Sequence, residues 1–386
     1  MLTIFDERLI FLKKFLPVLL AASMLAACSN NATETEKKPE TEQTKTTAPA
    51  ETTDQTETTT EAQPEEEKTT IRLAMIGDVL LHTQILYYKD YSPALKPMEK
   101  TLQNYDYLIA NQESLAIGNK FPLSGYPRFS SPDFIIRDVK EAGADMLNLA
   151  NNHILDHGEA ALRTEFENIE KYDLPYVGAY QSEKDANKPR VVDVDGIKIG
   201  VVSYTYGTNG FKVPAGKDYL VNYIDEKKIK RDIKKIKKLS DVVVVNMHWG
   251  TEYVTQENET QRHLAKVINK AGGDIIFGGH PHVIQPYDEI VGKDGHKTGV
   301  FYSIGNFYAT ITSGVETMVG GAASFRITKQ GDEVTVDKPV FKASAVLQDN
   351  GMYKVFPLAK VEGKTPASYT DLKWVQNIMG DKVIVK

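Results

Sequence analysis

The chain has 386 residues, a formal net charge of −6 and a single cysteine, Cys28. One cysteine excludes an intrachain disulfide framework and a structural zinc site built on thiolates. The acidity is local. Residues 29–70 hold 11 Asp/Glu against 4 Lys/Arg, while Asp6 and Glu7 face Arg8, Lys13 and Lys14, so residues 71–386 sum to about zero. A neutral domain lacks the basic footprint of general nucleic-acid binding, and no nucleic-acid partner is expected.

Residues 1–28 read as a signal segment. A basic flank (Arg8, Lys13, Lys14) precedes an apolar run of 13 residues, Phe15 to Ala27. That run is short of the roughly 20 residues a bilayer span needs. It ends Leu25-Ala26-Ala27-Cys28, a pattern that resembles a bacterial lipobox. The reading predicts cleavage and lipidation at Cys28, with the chain anchored on the extracytoplasmic face of the cell membrane. An ordinary signal peptide or anchor with an incidental cysteine is the alternative. Residues 29–70, rich in Thr and Glu with no apolar periodicity, read as a disordered tether. As a random coil its ends lie roughly 35 Å apart.

From Ile71 onward strand-like and helix-like runs alternate. Apolar strands are expected at Ile71 to Ile76, Tyr105 to Ala110, Met146 to Ala150, Val242 to Met247, Ile275 to Phe277 and Phe301 to Ile304. Such continuous β-branched runs suit strands buried on both faces. Between them, Leu162, Phe166 and Ile169, and Ile229, Ile233 and Ile236, fall at i, i+4, i+7 and predict amphipathic helices. The alternation argues for an α/β layered fold. From Gly320 to Ala345 the spacing tightens as in antiparallel hairpins, and residues 367–386 predict a short helix and a closing strand. The predicted domain runs from 71 to 345, with 346–386 as an extension packed on it.

Polar residues collect at the exits of these strands, where open α/β sheets gather ligands. The first strand ends in Gly77-Asp78, with His82 four residues on. The second ends in Asn111-Gln112-Glu113 and the third in Asn151-Asn152-His153, followed by Asp156, His157 and Gly158. The fourth ends in His248-Trp249-Gly250 with Glu252-Tyr253, the fifth in Gly279-His280-Pro281-His282, and the sixth in Gly305-Asn306. Each has an ordinary reading as well. Gly-Asp is a common turn, His82 suits a partly exposed helix start, Glu113 a loop-stabilising carboxylate, and His248 a core histidine. Asp156 either orients a neighbouring histidine or caps the following helix. Pro281 is expected to hold His280 extended, so that both rings of the pair surround one point. Imidazoles mixed with carboxylates and an amide oxygen suit one or two divalent ions such as Mn, Fe or Zn. Two metals sharing a carboxylate would clamp an in-line displacement at phosphorus. The stretch from Glu226 to Leu239, with eight Lys and Arg, is either a solvated helix face or a contact for an anionic polymer or membrane.

Together these motifs, from about Ile71 to Phe307, resemble the CapA/PgsA family of capsule proteins, associated with poly-γ-glutamate synthesis and related to the calcineurin-like metallophosphoesterases. Tyr302-Ser303 with Gly305-Asn306-Phe307 completes the set. The resemblance implies a sandwich of two mixed β-sheets flanked by helices (α/β/β/α). It implies metal ligation by Asp78, Glu113, Asn152, His248, His280 and His282, with His153 as general acid and His82, Asp156, Glu252 and Asn306 in support. It also implies an anionic polymer or phosphoester as substrate, and capsule synthase membrane subunits as partners. Two positions depart from the superfamily pattern. Leu80 stands where a ligand histidine is usual, and Glu113 where the bridging residue is aspartate. They imply one firmly held metal and a weaker second, or non-phosphoester chemistry. A non-catalytic, polymer-binding accessory subunit is the alternative function.

Overall fold

The computed structural model describes residues 67–386 apart from 312–313, 366 and 368–369. The predicted signal segment, Cys28 and nearly all of the tether lie outside the described residues. Among the described residues, no helix is long and apolar enough to cross a membrane.

The strands in chain order are β1 (Lys68–Leu80), β2 (Tyr107–Gln112), β3 (Met146–Asn148), β4 (Tyr176–Val177), β5 (Val191–Val194), β6 (Ile197–Thr205), β7 (Val242–His248), β8 (Ile275–Gly279), β9 (Tyr287–Val291), β10 (Lys297–Phe301), β11 (Asn306–Ala309), β12 (Val319–Gln330), β13 (Glu333–Asp349), β14 (Met352–Pro357) and β15 (Ile384–Val385). The helices are α1 (Ser92–Leu102), α2 (Ile135–Glu141), α3 (Gly158–Tyr172), α4 (Glu183–Asn187), α5 (Glu226–Ile236), α6 (Glu259–Ala271) and α7 (Leu372–Met379).

They build two mixed sheets. The first is nine-stranded, in the order β14-β13-β12-β1-β2-β3-β4, with β11 also on β1 and β15 on β13. Its β1-β2-β3-β4 half is parallel and its β12-β13-β14 half antiparallel. The second is six-stranded, β5-β6-β7-β8-β10-β9, parallel in the middle with antiparallel edges.

Alternation of side chains across each strand sorts the apolar residues into three layers. Leu73, Met75 and Ile109 of the first sheet meet Ile199, Val244 and Phe277 of the second in the central core. On the outer face of the first sheet, Ile76, Leu108 and Leu147 are covered by Met98, Val139, Leu162 and Phe166 of α1, α2 and α3. On the outer face of the second, Val243, Val245 and Ile276 are covered by Ile229 and Ile233 of α5 and Leu264 and Ile268 of α6. The fold is the expected α/β/β/α sandwich.

Three expectations need correction. The first strand starts at Lys68, inside the predicted tether, because Lys68, Thr69 and Thr70 pair with Gln330, Lys329 and Thr328. Phe301 to Ile304 is not one strand. β10 ends at Phe301 in the second sheet, and β11 begins at Asn306 in the first, so 302–305 cross between the sheets. The boundary after Ala345 falls inside β13, and residues 346–386 add β14 and β15 to the sheet.

Candidate metal centre

The crossing at 302–305 explains the first motif. A Cβ on Gly77 would sit 2.0 Å from the Gly305 carbonyl oxygen, so only glycine fits. That close approach lets the Asp78 N–H donate to Gly305 at 3.1 Å and turns the fully buried Asp78 carboxylate inward. A Cβ on Gly279 would lie 2.9 Å from Asp78 Oδ1, so the last residue of β8 must also lack a side chain.

Two groups of buried residues place ligand atoms within 4.8 Å of one another: Glu113, His248 and His280, and Asp78, Glu113 and His282. Glu113 belongs to both. Asn152 joins the first group, its Oδ1 2.8 Å from His248 Nε2, and Glu113 Oε1 lies 3.4 Å from the same nitrogen. Ligand bonds of about 2.0–2.2 Å put neighbouring donors ~3 Å apart around one ion. In the second group His282 Nδ1 is 3.2 Å from Asp78 Oδ2, and His282 Nε2 is 4.0 Å from Glu113 Oε1.

Asp78 Oδ2, both Glu113 carboxylate oxygens, His248 Nδ1 and His280 Nδ1 are buried without a hydrogen-bond partner. Buried polar atoms are ordinarily paired, because leaving one unpaired costs roughly 1–3 kcal/mol. Orphaned atoms on four residues of the two donor groups fit a cation. The donor set of carboxylates, imidazoles and one amide oxygen fits a divalent metal.

The electrostatics agree. Burial pulls the His280 imidazolium down to about 2, with His248 and His282 adding to the effect, so His280 is neutral and free to ligate. Burial also opposes charge on His282, but Glu113 and Asp78 outweigh it and hold its pKa up at about 9. Glu113 is desolvated too, yet His282 and His248 keep it well below the usual carboxylate range. Asp78 is pushed upward, first by burial and then by Glu113. A cation would take over the compensation that the His282 proton supplies.

The supporting residues divide. Asn306 donates its amide to the carbonyls of Thr317 at 2.9 Å and His282 at 3.3 Å, so its Oδ1 faces His282 Nδ1 at 3.0 Å and accepts that proton. This leaves Nε2 of His282 as its ligating atom. Asp156 accepts from Phe129 N–H at 2.7 Å and contacts His153 Nδ1 at 2.8 Å. It therefore orients the histidine. The N-cap of α3 is His157, with no side-chain cap. His82 does not reach the two groups. Its ring packs edge-on against Phe129 and its Nδ1 lies 3.1 Å from the Leu80 carbonyl, with burial lowering its pKa to about 4. Leu80 itself is buried with Phe129, Ala309 and Ile311. Glu252 is exposed and outside both groups. His280 is not extended: its φ is 97° and that of His282 is 58°, unusual for non-glycine residues. The turn swings both imidazoles to one side, and Pro281 O accepts from Tyr253 N–H at 2.8 Å.

The structure adds residues that sequence reasoning passed over. Asn111 Nδ2 donates to Asp78 Oδ1 at 2.6 Å, Asn148 Nδ2 donates to Asn111 Oδ1 at 2.7 Å, and Ser203 Oγ donates to Asn148 Oδ1. This buried relay runs through β2 and β3 to β6 of the other sheet and fixes the Asp78 carboxylate. From the loop after β6, Asn209 contacts Asn152 at 3.2 Å and His153 at 3.3 Å. Tyr206, 48% exposed, lays its ring 4.4 Å from that of His280. Tyr206 to Asn209 follow an apolar strand directly, but Tyr-Gly-Thr-Asn is ordinary loop composition and does not mark the site.

The molecule is thus a two-sheet α/β sandwich that gathers two sets of buried metal-type donors about one shared carboxylate. It belongs to the bacterial capsule synthesis protein PGA_cap family, which it matches over residues 72–310. It is 33% identical over 262 residues to the capsule biosynthesis protein CapA of Bacillus anthracis, covering 63% of this chain and 60% of that one. It is 35% identical over 182 residues to the PGA biosynthesis protein CapA of Bacillus subtilis strain 168, covering 45% and 44%. The chain therefore spans about half the length of these curated relatives. Similar solved structures include a putative 5'-nucleotidase from Staphylococcus aureus in complex with alpha-ketoglutarate (17% identity, TM-score 0.48, 75% of this chain and 54% of that one). Another is the calcineurin-like phosphoesterase YfkN from Bacillus subtilis (15%, 0.42, 81% and 96%).

Proposed function

We propose that this capsule synthesis family member is a metal-dependent hydrolase acting on a phosphoester or an amide-linked anionic polymer such as poly-γ-glutamate. It works on the extracytoplasmic face of the cell membrane, lipid-anchored at Cys28 beside capsule synthase membrane subunits. The observation that carries the reading is Glu113, shared by two buried donor groups with both carboxylate oxygens otherwise unpaired.

Asn152, Glu113, His248 and His280 would hold one divalent ion, and Asp78, Glu113 and His282 a second, more weakly, since Leu80 supplies no ligand. Bound there, such ions supply Lewis acidity to a phosphoryl or carbonyl oxygen and a reactive water at neutral pH. The chain's own residues do the rest. Asp156 and Asn209 engage Nδ1 of His153, leaving Nε2 to deliver a proton to the departing atom. Phe129, 4.7 Å away edge-on, holds that ring in place and keeps water from its face.

The test is turnover by the purified, Mn-loaded chain on a phosphodiester and on poly-γ-glutamate. His153→Asn is expected to lower kcat by about 10²–10⁴ with metal content unchanged. No wild-type turnover on either substrate, with polymer binding kept in His280→Ala, would leave the accessory, polymer-binding role.

A further inference from the structure

We propose that Arg128 forms an oxyanion subsite at the rim of the centre beside His153, gripping a second anionic group of the substrate. The proposal rests on the hydrolase reading for its orientation and goes beyond it in naming the substrate as doubly anionic.

Arg128 lies in the loop before Phe129 and is exposed. It is nevertheless held. Its Nε donates to the Asp156 carbonyl at 2.6 Å, and its guanidinium sits 5.1 Å from the centre of the Phe211 ring. The next residue, Phe129, donates its N–H to Asp156 Oδ2, the oxygen that contacts His153 Nδ1, and packs against His153 and His82. Arg128 is therefore clamped to the same aspartate that orients the acid. One edge of its fork is spent on that clamp. Its two terminal nitrogens make no hydrogen bond or ion pair among the described residues, although arginines such as Arg163, Arg190 and Arg326 pair with carboxylates. A guanidinium fixed at its neck, backed by an aromatic ring and open at its tip is pre-organised for a bidentate grip on carboxylate or phosphoryl oxygens. Asp156 joins the two residues, its carbonyl to Arg128 Nε and its Oδ2 to His153 Nδ1, so the anion that Arg128 would bind lies on the His153 side of the centre.

The experiment titrates three non-hydrolysable probes into the metal-loaded full chain. Methylphosphonate offers one anionic head, 3-phosphonopropionate adds a carboxylate, and 1,3-propanediphosphonate adds a phosphoryl group. Arg128→Gln is expected to weaken at least one diacid about tenfold or more and to leave methylphosphonate within about twofold. Arg128→Lys should fall between. The diacid that discriminates assigns the group as carboxylate or phosphoryl. Equal weakening of all three probes, no weakening of any, or a lysine variant as poor as glutamine with the same drop in Tm would overturn the subsite and leave a structural role. Metal analysis of the same samples separates this result from the metal reading. If no ion is retained, that reading falls, and the subsite stands or falls on whether a diacid still binds wild type more tightly than Arg128→Gln.

Discussion

At the scale of single residues the site is a balance of buried charges, and one further buried acid reads out the same physics away from the centre. Glu165 on α3 is buried, accepts the Ala116 N–H and so anchors the loop that follows Glu113. Desolvation raises its pKa from 4.5 to about 8. The folded state then keeps the proton up to about pH 8, whereas the unfolded chain gives it up near 4.5. Between those values the unfolded state binds fewer protons, so this contribution to stability is full below pH 4.5 and is lost as pH rises toward 8, with a slope of up to about 1.4 kcal/mol per unit. Glu165→Gln, which keeps an acceptor for Ala116, should flatten the dependence and raise the chemical-denaturation midpoint at pH 8 relative to pH 5. An unchanged slope across pH 5–8 would show that Glu165 is ionised in the fold.

At the scale of elements, α5 separates packing from surface chemistry. Ile229, Ile233 and Ile236 are buried, while Lys227, Lys230, Lys234 and Lys238 are exposed. Some of its charge is spent locally, in Lys228–Asp232 at 2.9 Å and Lys230–Glu226 at 3.2 Å. The remainder is concentrated on one helix of a domain whose charges sum to about zero. Replacing Lys227, Lys234 and Lys238 by Gln should weaken poly-γ-glutamate binding about five- to tenfold at low salt, at roughly 0.3–0.5 kcal/mol per exposed charge. Tm should stay within a degree or two. Equal binding in a salt titration would make the face solvated and nothing more.

The strands bearing Asp78, Glu113, His248 and His280 were legible because each is an apolar run cut off by a residue of obvious chemistry. β6 carries no such mark, since Tyr206 to Asn209 at its exit have ordinary loop composition. Asn111 and Asn148 sit inside strands, and a buried amide in an apolar run discloses its partner only when the sheets are assembled. The cross-sheet step at 302–305 was invisible for a related reason. One apolar run there serves two sheets, and no local pattern marks the change. The turn at His280 and His282 ran against the usual effect of a following proline, because the site needs both rings on one side.

At the scale of the whole molecule, two sheets meet face to face so that their strand ends share one carboxylate. β2 of the first sheet leads into Glu113, β7 and β8 of the second deliver His248 and bring in His280 and His282, and β1 places Asp78. Neither sheet alone assembles a complete donor group. Metal occupancy and the registry of the sandwich are therefore linked, and a bound ion stabilises the fold in proportion to its affinity. The most direct test is metal content by elemental analysis after Mn or Zn loading, for wild type, Glu113→Ala and His280→Ala. The account predicts more than one ion per wild-type chain, loss of both in Glu113→Ala, and loss of the tighter ion alone in His280→Ala. Full metal content in a folded Glu113→Ala, or no stoichiometric ion in wild type, would contradict it.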